Sequence, residues 1–171
     1  MIWVSVSRFN CQFTKTALLY NGFQPFTRYE KESPMSKDTF LRFITQNDVV
    51  VEEMPWGIHD WICRPGLTEA EKLMLVRVNM PPGQAHKFHR HPAMEEIIYV
   101  ISGTAEQWVD QTKQILGPGE SAHIPTNRVH GTYNAGDTEL VFLAILSPAI
   151  FEGPALVDVS EDAPWSTLRD E

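Results

Sequence analysis

The sequence of 171 residues has little cysteine, little basic charge and no long apolar run. Its 2 cysteines, Cys11 and Cys63, are far apart and outside any C-x-x-C motif, which argues against a disulfide framework and a thiolate metal site. Lys and Arg number 14 against 22 Asp and Glu, and a net charge of −8 argues against nucleic acid as a partner. No apolar run approaches the ~20 residues of a membrane-spanning helix. We therefore expect a soluble, cytoplasmic protein that does not bind membranes.

The first 34 residues differ in composition from the remainder of the chain. Their first acidic residue is Glu30, a composition compatible with a transit peptide, whereas Arg8 interrupts the one stretch apolar enough for a secretory signal. Met35 offers a second start. We interpret residues 1–34 as an N-terminal extension outside the core, and residues 35–171 as a single domain with an irregular C-terminal tail, which Trp165 fixes to the domain.

Short apolar segments alternate with Gly- and Pro-rich turns along most of the chain after residue 48. Strands are predicted at Val49–Met54, Leu73–Met80, Ile97–Ile101, Thr104–Val109, Gln114–Leu116 and Glu139–Leu146. Thr68–Glu71 has the capping-box spacing of a short helical turn. Many strands with few helical periods predict an all-β protein, built as an antiparallel sandwich or barrel.

Residues 83–103 carry side chains that suit a metal site. His89 and His91 are two residues apart, so both imidazoles point to the same face of a strand. Pro92 then bends the chain, and Glu96 begins the next apolar run. Two imidazoles and a carboxylate on facing strands can converge on one divalent metal ion.

Residues 119–134 repeat the order of turn, strand, proline turn and histidine. Together with residues 83–103 they resemble the two motifs of the cupin superfamily, G-x5-H-x-H-x(3,4)-E-x6-G and G-x5-P-x-G-x2-H-x3-N. The match departs from the motifs at Asn127, which replaces a Gly, and Asn tolerates a positive φ better than other residues with a side chain. The resemblance covers about residues 73–147. It implies a double-stranded β-helix, or jelly-roll barrel, with a metal inside one end.

The resemblance also implies roles for individual residues. The metal ligands would be His89, His91, Glu96 and His130, with Glu96 a candidate catalytic proton acceptor. Asn134 shares a strand face with His130 and is expected to support it by hydrogen bonding. Imidazole and carboxylate ligands suit Fe, Mn, Zn, Ni, Co or Cu, so one divalent transition metal per chain is expected with its identity open. Cupins commonly pair, and a homodimer is expected.

Arg77 and Gln107 are candidates for binding a substrate in the cavity. A guanidinium that points inward pairs well with a carboxylate substrate, whereas an outward Arg77 in a surface salt bridge is the open alternative. Gln107 shares its strand face with Ala105 and Val109, which are small or apolar.

Other polar and aromatic residues near the motifs are interpreted as surface residues. His86 is an odd number of residues from His89 and His91, so its side chain is predicted on the opposite face of the strand. The other residues interpreted as lying on the surface are His59, Asp60, Glu95 and His123. Trp56 and Trp61 are interpreted as covering the end of the barrel or a dimer surface, with an aromatic platform for a ligand as the alternative.

Two function classes remain compatible with this sequence. The first is a metal-dependent enzyme that acts on a small oxygenated molecule, with a dioxygenase of the quercetinase-like kind as the leading example and an isomerase, lyase or decarboxylase as alternatives. The second is a non-catalytic barrel that binds a sugar or a small acid. Four protein ligands leave up to two positions open on a six-coordinate metal, which favours the enzyme.

Overall fold

The computed structural model describes residues 40–169, which form eleven strands and one short helix. The elements are β1 Val50–Met54, β2 Gly57–Cys63, β3 Met74–Met80, β4 Ala85–Arg90, β5 Glu95–Ser102, β6 Ala105–Val109, β7 Thr112–Leu116, β8 Ser121–Ile124, β9 His130–Asn134, β10 Leu140–Ser147, β11 Val157–Asp158 and α1 Trp165–Leu168. None of the helical segments in this range has the length and apolar character needed to cross a membrane. The expectations for residues 1–34, for a start at Met35 and for Cys11 lie outside the described residues.

The strands form two antiparallel sheets, as the alternation of short apolar segments and turns predicts. One sheet has six strands in the order β1-β2-β3-β10-β5-β8, and the other has five in the order β11-β4-β9-β6-β7. Strands that follow each other in sequence often lie in different sheets, so the chain winds back and forth between the two. This arrangement is a double-stranded β-helix, and the all-β prediction is confirmed.

The main core lies between the two sheets and follows from the period-two alternation of the strands. In β3 the side chains of Val76, Val78 and Met80 point inward and are buried. Residues of the other strands and loops complete the cluster, among them Ile98, Val100, Leu116, Ile124, Leu140, Phe142 and Leu146. This apolar interior holds the walls of the barrel in place around the polar residues at one end.

The outer face of the five-stranded sheet is covered by the C-terminal tail. Phe88, Trp108 and Tyr133 form a second apolar cluster, and Trp165 packs on Phe88 with ring centroids 5.6 Å apart, which confirms the predicted role of Trp165. Glu106 accepts hydrogen bonds from Trp108 Nε1 and from Arg169 Nε at 2.8 and 2.7 Å. Burial alone raises the pKa of Glu106, but these two donors outweigh burial and hold the pKa below its usual value.

The outer face of the six-stranded sheet has no such cover in residues 40–169. Its exposed apolar side chains include Ile97, Tyr99 and Ile101 on β5 and Ile58 on β2, each 40–44 % exposed. These four residues define what we call the outer apolar face. Glu95 and His123 lie at its edge, exposed and paired with each other at 3.2 Å, as predicted for surface residues.

Of two turns predicted from the sequence, the structure confirms one and contradicts the other. Asn127 has a φ of 65°, which is the conformation that its place in the second motif predicts. Residues 68–71, by contrast, do not form the predicted helical turn. Thr68 closes a turn through its N–H to the carbonyl of Arg64 at 3.0 Å and pairs with Pro65 in an isolated bridge. Thr68 is therefore held at the end of this turn and does not cap a helix.

Candidate metal centre

Four buried polar side chains meet at one end of the barrel. His89 comes from β4, His91 from the residue after its end, Glu96 from β5 and His130 from β9. The Cα atoms of His89 and His130 are partners in register on neighbouring strands, which places their rings 4.1 Å apart between centroids. One ligand atom from each of the four residues lies within 4.8 Å of the others, and each residue is at most 7 % exposed.

The three imidazoles are held in one orientation by backbone carbonyl oxygens. Each Nδ1 has such a neighbour: Lys87 O at 2.7 Å from His89, Ala155 O at 2.7 Å from His91 and Arg128 O at 3.0 Å from His130. A carbonyl oxygen only accepts hydrogen bonds, so each Nδ1 carries the proton. Each neutral imidazole therefore presents the lone pair of Nε2 to the centre of the cluster.

Two of these Nε2 atoms lie against a carboxylate oxygen of Glu96. His130 Nε2 lies 2.8 Å and His91 Nε2 3.4 Å from Oε2 of Glu96. Among the described residues, Nε2 of His89, Nε2 of His130 and Oε2 of Glu96 are buried without a hydrogen-bond partner. Lone pairs that face each other in a buried space repel unless a cation lies between them, and a divalent metal satisfies all of them at once. The residues present therefore fit a metal ion.

The electrostatics of the cluster favour a neutral His89 and an ionised Glu96, whereas at His91 burial is outweighed by the carboxylate of Glu96, which raises the pKa of His91. Burial, followed by the neighbouring imidazoles, lowers the pKa of His89 well below its usual value. Burial opposes ionisation of Glu96, but an imidazole of His130 or His91 that carries a proton on Nε2 donates to the carboxylate, outweighs burial and lowers the pKa of this carboxyl. Metal ligands must be deprotonated, so a metal ion at this position would take the place of these protons beside the ionised carboxylate.

Comparison with known proteins identifies the family. The model of the Cupin_2 family, described as a cupin domain, matches residues 76–146. The pectin degradation protein KdgF of Dickeya dadantii is 32% identical over 81 residues, which cover 47% of this chain and 74% of that protein. The chain belongs to the cupin family.

Solved structures of other cupins share the fold of this one. The polyketide cyclase RemF of Streptomyces resistomycificus has a TM-score of 0.59 at 22% identity, over 76% of this chain and 94% of that chain. The oxalate decarboxylase of Bacillus subtilis, described with Mn(II) centres, has a TM-score of 0.56 at 22% identity, over 70% of this chain and 33% of that chain. At these identities the likeness concerns the fold alone.

In this cupin Arg77 does not point into the cavity. It has the opposite parity to the core residues Val76 and Val78 and lies on the outer face of β3. Its Nε and Nη2 donate to Oδ2 of Asp60 at 3.0 and 2.7 Å, and Asn79 Nδ2 donates to the same oxygen at 3.1 Å. Of the two orientations that the sequence leaves open for Arg77, the outward one in a salt bridge is observed, so Arg77 is not placed to bind a substrate in the cavity. Asp60, interpreted as solvated, is instead buried by this cross-strand pairing.

Gln107 does face the interior of the barrel. It is 2 % exposed, its Oε1 accepts a hydrogen bond from Thr132 Oγ1 at 2.7 Å, and its Nε2 donates to Trp108 O at 3.0 Å. Thr132 is two residues from His130 on the same strand face, so Gln107 lies one step further into the barrel than the cluster. Its contact with a substrate stays a prediction.

The side chain of Asn134 makes different hydrogen bonds from those predicted. Its Nδ2 donates to the carbonyls of Met80 and Thr138 at 2.9 and 2.8 Å, and its Oδ1 accepts from the N–H of Gly136 at 3.1 Å. These bonds fix the turn between β9 and β10. The prediction that Asn134 supports His130 is wrong, because the carbonyl of Arg128 provides that support.

His86 is the residue near the cluster that sequence reasoning missed. A β-bulge between His86 and His89 shifts the register of β4, so parity no longer separates the two side chains. The ring of His86 stacks on His89 at 3.8 Å and on Trp56 at 4.3 Å between centroids. The interpretation of His86 as a surface residue is therefore wrong, and burial lowers its pKa to about 3.

The predictions for two residues of β2, Trp61 as a cover of the barrel end or a dimer surface and His59 as a surface residue, are also corrected. Trp61 is part of the main core and donates from Nε1 to Glu52 at 2.8 Å. His59 is half-buried, and its ring meets the edge of Trp56 at 4.7 Å. The hairpin β1-β2 thus contributes rings that extend from the core to His86 and the cluster. Nothing in the sequence signals the bulge that brings them there.

Proposed function

We propose that this cupin is a metal-dependent enzyme that acts on a small oxygenated organic molecule. The observation that supports it is the convergence of three buried imidazoles and one buried carboxylate within 4.8 Å, with Nε2 of His89 and of His130 left without a hydrogen-bond partner. One divalent transition metal per chain is held by Nε2 of His89, His91 and His130 and by a carboxylate oxygen of Glu96. A non-catalytic barrel has no need for four converging polar groups, because desolvated polar groups cost stability when they lack partners.

The proposed ligand set leaves positions free for a reactant. When bound, a divalent transition metal supplies Lewis-acid polarisation of a substrate oxygen and, if it is redox-active, activation of dioxygen. The chain itself supplies the rest of the reaction environment. The apolar core beside the cluster excludes water from the reactant, and Gln107 with Thr132 offers polar atoms deeper in the barrel. Glu96, the carboxylate of the set, is the proposed acceptor of a substrate proton.

Two reaction classes follow from different observations. The outward direction of Arg77 removes the guanidinium that the sequence offered for a carboxylate substrate, which favours a neutral hydroxylated molecule. For such a substrate the proposed reaction is oxygen-dependent, of the dioxygenase type, at a redox-active metal. The relatives favour a second class. One is named for pectin degradation and another for oxalate decarboxylation, so a lyase, isomerase or decarboxylase reaction on a sugar acid or small acid is the alternative.

We also propose that this cupin forms a homodimer through its outer apolar face. Ile58, Ile97, Tyr99 and Ile101 present exposed apolar area there. Some of the charged groups beside them are paired within the chain, as in Asp60 with Arg77 and in Glu95 with His123, whereas Glu53, the cross-strand partner of Ile58, is exposed. Two copies that meet on this face would bury its apolar side chains and leave Glu53 at the edge strand β1.

The activity is tested by loading the metal-free protein anaerobically with Fe(II), Mn(II), Ni(II) or Cu(II), one metal at a time. A flavonol, a catechol, a keto acid and a sugar acid are then offered, and oxygen uptake and product formation are followed. We expect turnover with one metal and its loss in Glu96→Gln, while His123→Ala, which changes an exposed histidine, keeps it. Binding of a sugar or acid with equal affinity to the metal-free and metal-loaded forms, without turnover by any metal, would establish the non-catalytic barrel instead.

A further inference from the structure

The ring of His89 is the imidazole of the cluster that has an aromatic stack behind it. His86 lies against His89 with centroids 3.8 Å apart and an interplanar angle of 27°. Trp56 lies against the other side of His86, with centroids 4.3 Å apart and an angle of 12°. The three rings thus form one continuous stack that ends on the cluster, which we call the Trp56–His86–His89 stack.

A hydrogen bond and a stack restrict different motions of the same ring. The bond from Nδ1 of His89 to the carbonyl of Lys87, at 2.7 Å, fixes which edge of the ring points away from the cluster. It does not by itself prevent the ring plane from tilting about that bond. The face of His86 blocks this tilt on one side, while His130 lies on the ring from another direction, with centroids 4.1 Å apart and an angle of 60°. Nε2 of His89 is therefore directed by contacts on its edge and its face.

The stack is tied to rigid parts of the barrel. Trp56 packs against the main core, and its other neighbour is the edge of His59, at 4.7 Å and 70°. Gly57, which follows Trp56, has no room for a side chain, because a Cβ there would lie 2.7 Å from the carbonyl oxygen of Asn79. The turn that carries Trp56 is thus pressed against β3. A ring supported in this way transmits little motion to His89.

We propose that His86 and Trp56 are positioning residues that fix the direction of Nε2 of His89 towards the metal. This inference rests on the proposed metal binding. It assigns the two residues no contact with the metal, and it attributes their effect to the faces of their rings and not to the nitrogens of His86. A ring without nitrogens at position 86 should therefore serve as well.

The experiment uses Co(II) alone as the probe, with the full chain and a matched set of variants. His86→Ala removes the stack, His86→Phe keeps a ring there, and His123→Ala is the control for loss of a histidine elsewhere. Co(II) affinity and the visible ligand-field spectrum are measured for each, after circular dichroism has verified the fold. We expect His86→Ala to bind Co(II) on the order of 10-fold more weakly with an altered spectrum, as is typical when support of a metal ligand is lost. His86→Phe and His123→Ala should match the wild type in both readouts.

Two results would overturn the inference. A His86→Ala protein with the affinity and spectrum of the wild type would show that the stack does not position His89. Equal losses in His86→Ala and His86→Phe would show that a nitrogen of His86 acts, not its ring face. Failure of the metal proposal itself looks different, because the wild type then takes up no Co(II). In that case the Nδ1–H signal of His89 in the NMR spectrum of the metal-free protein shows whether the stack positions the ring of His89. The signal should persist in His86→Phe and broaden in His86→Ala.

Discussion

Removal of the metal should destabilise this cupin without unfolding it. The main core has fourteen buried apolar residues, and most of them lie away from the cluster. Each sheet contains backbone ladders that do not involve the four proposed ligands, such as the pairing of β10 with β3 in one sheet and of β6 with β7 in the other. Small zinc domains, in contrast, have so little core that their folding depends on the ion. Metal binding here adds a linkage contribution to a fold that is already stable.

The size of the effect can be worked out from linkage. A ligand present at about 100 times its dissociation constant stabilises the folded state by about 2.7 kcal/mol. For a domain of roughly 130 ordered residues, an unfolding entropy of about 2.1 cal/mol/K per residue corresponds to ~0.27 kcal/mol/K. The ratio gives a change in Tm of about 10 °C. The shift should grow with metal concentration, because binding to the folded state alone scales with its logarithm.

Calorimetry and far-ultraviolet circular dichroism before and after chelation measure this change. We expect the strand signal to persist and Tm to fall by about 10 °C, with full recovery when metal is added back. In His130→Ala the Tm should no longer respond to metal, whereas in His123→Ala it should respond as in the wild type. Collapse of the strand signal on chelation would refute the reasoning, as would a Tm that no divalent metal changes.

Three further variants test the fold and the assembly. Gly103→Ala should lower the free energy of unfolding by about 3 kcal/mol, because its φ is +80° and a Cβ would lie 2.6 Å from the carbonyl oxygen of Glu139. Gly83 has a φ of +74° but open space around it, so Gly83→Ala should lower the free energy of unfolding by about 1 kcal/mol. Denaturant unfolding measures both. Glu106→Gln should lower the free energy of unfolding by about 1–2 kcal/mol at pH 7, where Glu106 is ionised. The difference from the wild type should vanish as pH falls through the lowered pKa of Glu106 in the folded state, because the protonated carboxyl loses the advantage of the ionised one. Equal costs at pH 7 and pH 3 would contradict this. Tyr99→Arg should convert a dimer into a monomer in light scattering, and a monomeric wild type would end the dimer proposal.

The sequence predicts those parts of the site that depend on local geometry. The alternation of side chains places Glu96 on the inner face of β5 with Ile98 and Val100. Motif spacing places His130 at the start of a strand, where it meets His89 across the sheet. The turn at Asn127 follows from the conformational preference of one residue. Each of these inferences needs only a few consecutive residues.

The parts that sequence reasoning missed depend on contacts between distant segments or on an irregular strand. The bulge in β4 reverses the parity on which the interpretation of His86 rested. The direction of Arg77 was left open, and Asp60 on the neighbouring strand decides it. The carbonyl that orients His91 belongs to Ala155, which is 64 residues further along the chain. No local pattern encodes such a contact.

The central claim is that the four converging side chains bind one metal ion. X-ray diffraction at the absorption edge of the metal taken up by the full chain tests it most directly, because anomalous scattering locates the metal itself. We predict one peak per chain at about 2.0–2.2 Å from Nε2 of His89, His91 and His130 and from a carboxylate oxygen of Glu96. Absence of any peak at these atoms in metal-loaded crystals, or a peak at the exposed pair of Glu95 and His123 instead, would contradict the account.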